Sequence, residues 1–113
     1  MAKFASSPMS MTIGGETYTI EFNREAIKLA ATMGVTNDTA SVFDRVKNIL
    51  YCGLKKHHPF ITPKRTEDII DQAMSEGYGL NSFSEVTDEF GRCYQAVFTE
   101  SEEVKSKPLI TRL

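Results

Sequence analysis

Cysteine is scarce in this chain: Cys52 and Cys93 are the only two among 113 residues. No C-x-x-C or H-x-x-x-H spacing accompanies them. The two histidines, His57 and His58, are adjacent, so on a helix they point in different directions, and no metal site is expected. Both cysteines fall within apolar helical patterns, which predicts two buried free thiols in a reducing cytoplasm. No apolar run approaches the ~20 residues that cross a bilayer, so no membrane helix is expected. Residues 1–8 lack the apolar stretch of a secretory signal. Chemistry-bearing motifs are missing as well. Gly14-Gly15 is not followed by the lysine and helix start of a phosphate loop, and no nucleophile elbow is present. The paired acids Asp68/Asp71 and Asp88/Glu89 sit on helix faces that nothing places in a pocket. The expectation is therefore no catalytic residue, no cofactor and no enzymatic activity. A net charge of −2 excludes a wholesale basic nucleic-acid binder, though not a local basic patch. What remains is an ordinary globular composition, 41% apolar and 25% charged, which sets the chain apart from disordered sequences. Its length fits one domain that buries a core without disulfides or metal.

Along the chain, residues 1–10 are small and polar and read as a flexible arm. Met11-Thr12-Ile13, then Gly14-Gly15, then Glu16-Thr17-Tyr18-Thr19-Ile20-Glu21-Phe22 read as a hairpin. Tyr18, Ile20 and Phe22 alternate with Thr17, Thr19 and Glu21, so the first set faces a core and the second faces water. Gly-Gly supplies the positive φ angles of a two-residue turn. Asn23 caps a first helix over 24–33, with Ile27, Ala30 and Ala31 inward and Gly34 as its stop. Residues 35–40 read as a linker. A second helix over about 40–56 carries Val42, Phe43, Val46, Ile49, Leu50 and Leu54 at three-and-four spacing, and His57-His58-Pro59 ends it. Thr62-Pro63 opens a third helix whose inner stripe is Ile69, Ile70, Ala73 and Met74. Ser82-Phe83-Ser84-Glu85 matches a capping box before a fourth helix, which runs to about Thr99. Its inward residues are Phe83, Val86, Phe90, Tyr94, Val97 and Phe98. The fold class is therefore α+β, mainly α: an N-terminal hairpin packed on about four helices. The globular domain covers 11–99, and 100–113 forms a charged tail.

Charge is uneven. Residues 41–66 carry Arg45, Lys47, Lys55, Lys56, Lys64 and Arg65 against Asp44 alone, a net of +5. Residues 67–104 carry ten acids against Arg92 alone, a net of −9. One reading is two solvated helix faces that attract each other; the other is an acidic surface for a basic or amphipathic partner. His57 and His58 can satisfy a helix C-terminus or contact a partner at the corner after the second helix. Leu109, Ile110 and Leu113 have no partner that the sequence identifies, and they are candidate partner-binding residues for a client or for a second copy of the chain.

The order of these motifs is recognisable. A Gly-Gly hairpin, Ile13 to Phe22, runs into a helix that stops at Gly34, and a long helix then closes on Gly53-Leu54-Lys55-Lys56-His57-His58-Pro59. This resembles the tail assembly chaperones of long-tailed phages and prophages of Gram-positive bacteria, over roughly residues 11–98. The resemblance implies a protein that binds the tape-measure protein, keeps it soluble and helps recruit subunits of the major tail-tube protein. It implies a place in the host bacterial cytoplasm and absence from the mature virion. Some family members also exist as a longer frameshifted form. A tape-measure protein is long, helical and aggregation-prone before the tube encloses it, and a small helical module with an apolar groove suits that client. The alternative is a small nucleic-acid-binding regulator that uses the basic corner at residues 55–65. That reading wants interleaved aromatics, and only Phe60 is available.

Overall fold

In the computed structural model, residues 5–37, 41–99 and 109–113 are described. Two short strands open the fold: β1, Met9–Ile13, and β2, Glu16–Ile20, paired antiparallel. Gly14 and Gly15 take φ values of +60° and +79°, the positive angles that a two-residue turn needs and that side chains resist. Ile13 faces Glu16 across the turn, Met11 faces Tyr18 and Met9 faces Ile20. The pair flanking such a turn exchanges both ladder hydrogen bonds, and the pairs two residues on repeat the pattern. The backbone groups of Ser10, Thr12, Thr17 and Thr19 therefore point away from the ladder. On the core face Ile13, Tyr18 and Ile20 are buried, and Met9 and Met11 are half-buried.

Four helices follow: α1, Arg24–Thr32; α2, Val42–Leu54; α3, Pro63–Ser75; and α4, Ser84–Phe98. Each of the first three has a side-chain cap. Asn23 accepts from the Ala26 N–H, Ser41 from Asp44 and Thr62 from Arg65, each of which satisfies a donor left over at a helix start. The core joins the hairpin's inner face to all four helices through Phe22, Ile27, Leu50, Leu54, Ile70 and Phe90. Phe22 meets Phe90 edge-on, with ring centres 5.7 Å apart. The architecture is α+β and mainly α, a hairpin on four helices, in agreement with the sequence reading.

Several local expectations are corrected. The arm expected over 1–10 does not extend through its second half. β1 begins at Met9, the Ala5 carbonyl accepts from Arg92 Nη2 at 2.7 Å, and Ser6 Oγ donates to Glu21. Residues 1–4 lie outside the described residues, as do 38–40 of the expected linker and 100–108 of the expected tail. Val35, assigned to the linker, is buried. The capping box at Ser82 and Glu85 does not form. A single 3-10 turn, Leu80–Phe83, precedes α4, and Ser82 Oγ accepts instead from the Gly79 N–H. Val42, Met74 and Phe98 are exposed, because each lies at or near a helix end beyond the neighbouring elements. Cys93 is buried, as the sequence reading expects of both thiols, while Tyr94, expected inward, is half-buried.

Candidate partner-binding surfaces

The hairpin and the end of α2 form one joint. Gly53 makes it possible: a Cβ there would stand 2.7 Å from Ile20 Cγ2 and 2.9 Å from Phe22 Cζ. With only hydrogen at that position, the helix backbone approaches the strand closely enough for the Glu21 N–H to donate to the Gly53 carbonyl at 2.8 Å. One step out along β2, the Thr19 N–H donates to His58 Nε2 at 3.1 Å, and the His58 ring stands edge-on to Tyr18. That nitrogen accepts, so it carries no proton in this arrangement.

Glu21 sits at the centre of the joint. The alternation of β2 assigned it to the solvent face, but the ladder stops at Ile20 and Glu21 is buried. Its carboxylate lies 2.8 Å from Lys56 Nζ and 3.0 Å from His57 Nε2, and it accepts from Ser6 Oγ. An ionised carboxylate only accepts, so His57 donates from Nε2. Lys56 first, then Ser6 and His57, hold the Glu21 carboxyl down to about 2. A second network lies beside it. Tyr18 Oη donates to Glu16 at 2.9 Å and accepts from Arg65 Nη2 at 3.0 Å. Burial, followed by the Glu16 hydrogen bond, pushes the Tyr18 hydroxyl above its ordinary value. His57 and His58 thus face the hairpin of their own chain.

The basic corner is internally matched. Lys55 Nζ donates to the Pro59 carbonyl at 3.2 Å. Lys56 faces Glu21, Arg65 faces Tyr18 and Glu16, and Lys64 lies 3.2 Å from Asp68. Lys47 of α2 reaches Glu67 of α3 at 3.8 Å, which joins the basic and acidic segments across the helix pair. Phe60 stands fully exposed at the tip of the corner loop. Among the described residues, no group of three or more His, Cys, Asp or Glu side chains is placed to hold a metal ion. No helix among them is long and apolar enough to cross a membrane.

Two surfaces are open to a partner: a groove whose lining mixes apolar side chains with Ser10, Thr12, Asn81, Ser84 and Glu85, and a chain segment rich in apolar residues. The first is a groove of about 460 Å³ between β1 and the segment that joins α3 to α4. Met9, Met11 and Ile13 line it on one side, and Tyr78, Phe83 and Val86 on the other. The methionines are flexible and polarizable, which suits a surface that adapts to its ligand. Nothing in the sequence pointed to this groove, because its two walls are about 70 positions apart in the chain. The second surface is the segment 109–113. Leu109, Ile110 and Leu113 stand there exposed, whereas His57 and His58 face the hairpin. In comparisons with known proteins, no family model, no curated protein and no solved structure matches the chain.

Proposed function

We propose that the chain is a phage or prophage tail assembly chaperone that binds the tape-measure protein and keeps it soluble during tail morphogenesis. The observation that carries this reading is the open, methionine-lined groove beside β1, which can receive apolar side chains of an amphipathic client. The two motifs behind the family resemblance, the Gly-Gly hairpin and the Gly53-to-Pro59 helix end, also meet in space through Glu21, Lys56, His57 and His58. Those residues fix the β2 edge of the hairpin whose other strand walls the groove. In this proposal the tail-tube protein is a second partner, the complex forms in the host cytoplasm, and the chaperone leaves before the virion is complete.

The alternative, a nucleic-acid binder acting through residues 55–65, is less well supported. Each cation of that corner already has an acceptor within the chain, so few charges remain to displace counterions from phosphate. Co-expression with the tape-measure protein of the same phage or prophage tests the proposal. The expected result is a soluble complex that co-purifies and that Tyr78→Asp, at the groove wall, weakens. Tape-measure protein that stays insoluble and unbound beside abundant soluble partner would overturn it. Tight, salt-sensitive binding to duplex DNA or RNA, lost on Lys64→Glu, would favour the alternative.

A further inference from the structure

The two edges of the hairpin are treated differently. Along β2 the outward Thr19 N–H meets His58, and the next outward donor, Glu21 N–H, meets Gly53. Along β1 the outward groups belong to Ser10 and Thr12. Among the described residues, no backbone hydrogen bond outside the ladder reaches either of them. β1 also lacks the charges, the proline and the bulge that can protect an edge. It reads Met-Ser-Met-Thr-Ile, with no charge and no proline, and its register with β2 is unbroken by a bulge. The groove runs along this bare edge, so a strand placed there would find backbone partners and an apolar floor together.

We propose that residues 109–113, Leu-Ile-Thr-Arg-Leu, add to the outer edge of β1 as a third strand and fill the groove from within the same chain. In the structure these residues stand in solvent, and Leu109 and Leu113 are the two most exposed of the large apolar side chains among the described residues. As a strand they place Leu109, Thr111 and Leu113 on one face, which sets both leucines over the floor, and Ile110 and Arg112 on the other. Arg112 carries a positive charge, and the groove's rim holds the Glu85 carboxylate. The reach is sufficient. α4 starts at the groove and has 15 residues, so its far end lies about 22 Å away. The nine residues 100–108 span up to about 30 Å when extended. A tether of that length gives the attached segment an effective concentration in the millimolar range, which favours its own groove over that of a second copy. Leu109 and Leu113 then act on a partner by vacating the groove. The docking itself needs no client.

Amide hydrogen exchange of the full chain, followed by NMR, tests the docking. Leu109→Ser, Ile110→Ser and Leu113→Ser together should speed exchange at Ser10 and Thr12 about tenfold and leave the ladder amides of Met11 and Tyr18 unchanged. The protection should be the same at two protein concentrations tenfold apart. Equal exchange at Ser10 and Thr12 in both proteins would overturn the proposal. Protection that rises with concentration would also overturn it, and would assign the edge to a second copy. A second variant works from the other side: Thr12→Pro removes an outward donor and no ladder hydrogen bond, losing on the β2 side only the hydroxyl contact of Thr12 with Thr17. It should move the methyl resonances of Leu109 and Leu113 to random-coil positions. Random-coil positions already present in the unaltered chain would likewise defeat the proposal.

Discussion

Glu21 shows how one side chain couples distant parts of this chain. Its folded carboxyl is held at about 2, against 4.5 for an ordinary glutamate. A depressed folded value contributes stability above the unfolded value and loses it as pH falls through the folded one. The joint should therefore add full stability above pH 4.5 and lose it progressively toward pH 2. Glu21→Gln should cost about 1–3 kcal/mol at neutral pH and flatten the acid limb of the stability profile, as read by denaturant midpoints across that range. Gly53 is the steric counterpart. Gly53→Ala places a methyl group 2.7 Å from Ile20 Cγ2, so the strand or the helix end must shift. A loss of about 1–3 kcal/mol in chemical unfolding is expected, although alanine favours helix over glycine. The two thiols are the inert residues of the molecule. Burial pushes Cys52 up to about 12 and Cys93 up to about 11, and both are free. A thiol reagent at pH 8 should modify neither until the protein is unfolded, and rapid labelling of the native chain would contradict their burial.

Among the elements, α2 carries the most structural weight. It packs against α1, α3, α4 and β2, and its C-terminal turn closes one edge of the hairpin. Leu50 lies fully buried at its centre. Leu50→Ala should cost about 2–5 kcal/mol through lost burial and a residual cavity, visible as a lowered melting midpoint. The hairpin is the converse case. A two-stranded ribbon is at best marginally stable in water, and this one is held by its apolar face and by the contacts of Thr19 and Glu21 with the α2 end. The His58 ring therefore helps fix the position of the strand. The α3–α4 connection forms the opposite wall of the groove. It is built on a 3-10 turn where the capping signature predicted a simple helix start.

For the molecule as a whole, the described chain divides into a core that holds itself together and apolar surface that the core does not use. Deletion of residues 108–113 should change unfolding free energy by no more than about 1.5 kcal/mol, the worth of the tenfold protection at β1, since among the described residues no buried core residue lies beyond Cys93. With the groove uncovered, the same deletion should strengthen capture of the tape-measure protein in co-purification. Weakened capture would mean that Leu109, Ile110 and Leu113 grip the client directly. The uneven charge of the sequence is resolved by pairing within the fold. Lys47 bridges to Glu67 and Lys64 to Asp68, so the basic and acidic segments partly neutralise each other.

Short-range physics explains what was legible in the residues alone. The Gly-Gly turn, the caps at Asn23 and Thr62, the proline at position 63 and the three-and-four spacing of α2 act within a few positions of one another. They determine the hairpin, four helices and most of the core, Leu50, Ile70 and Phe90 among them. The tertiary structure decided what depends on distant segments meeting. Glu21 and Lys56 are 35 positions apart, and strand alternation alone sends Glu21 to solvent. Only the arrival of the α2 end, admitted by Gly53, turns that carboxylate into the buried centre of a joint. The groove has the same origin. Its walls come from the first strand and from the turn after α3, and no local pattern records that they face each other, because burial belongs to the pair and not to either segment.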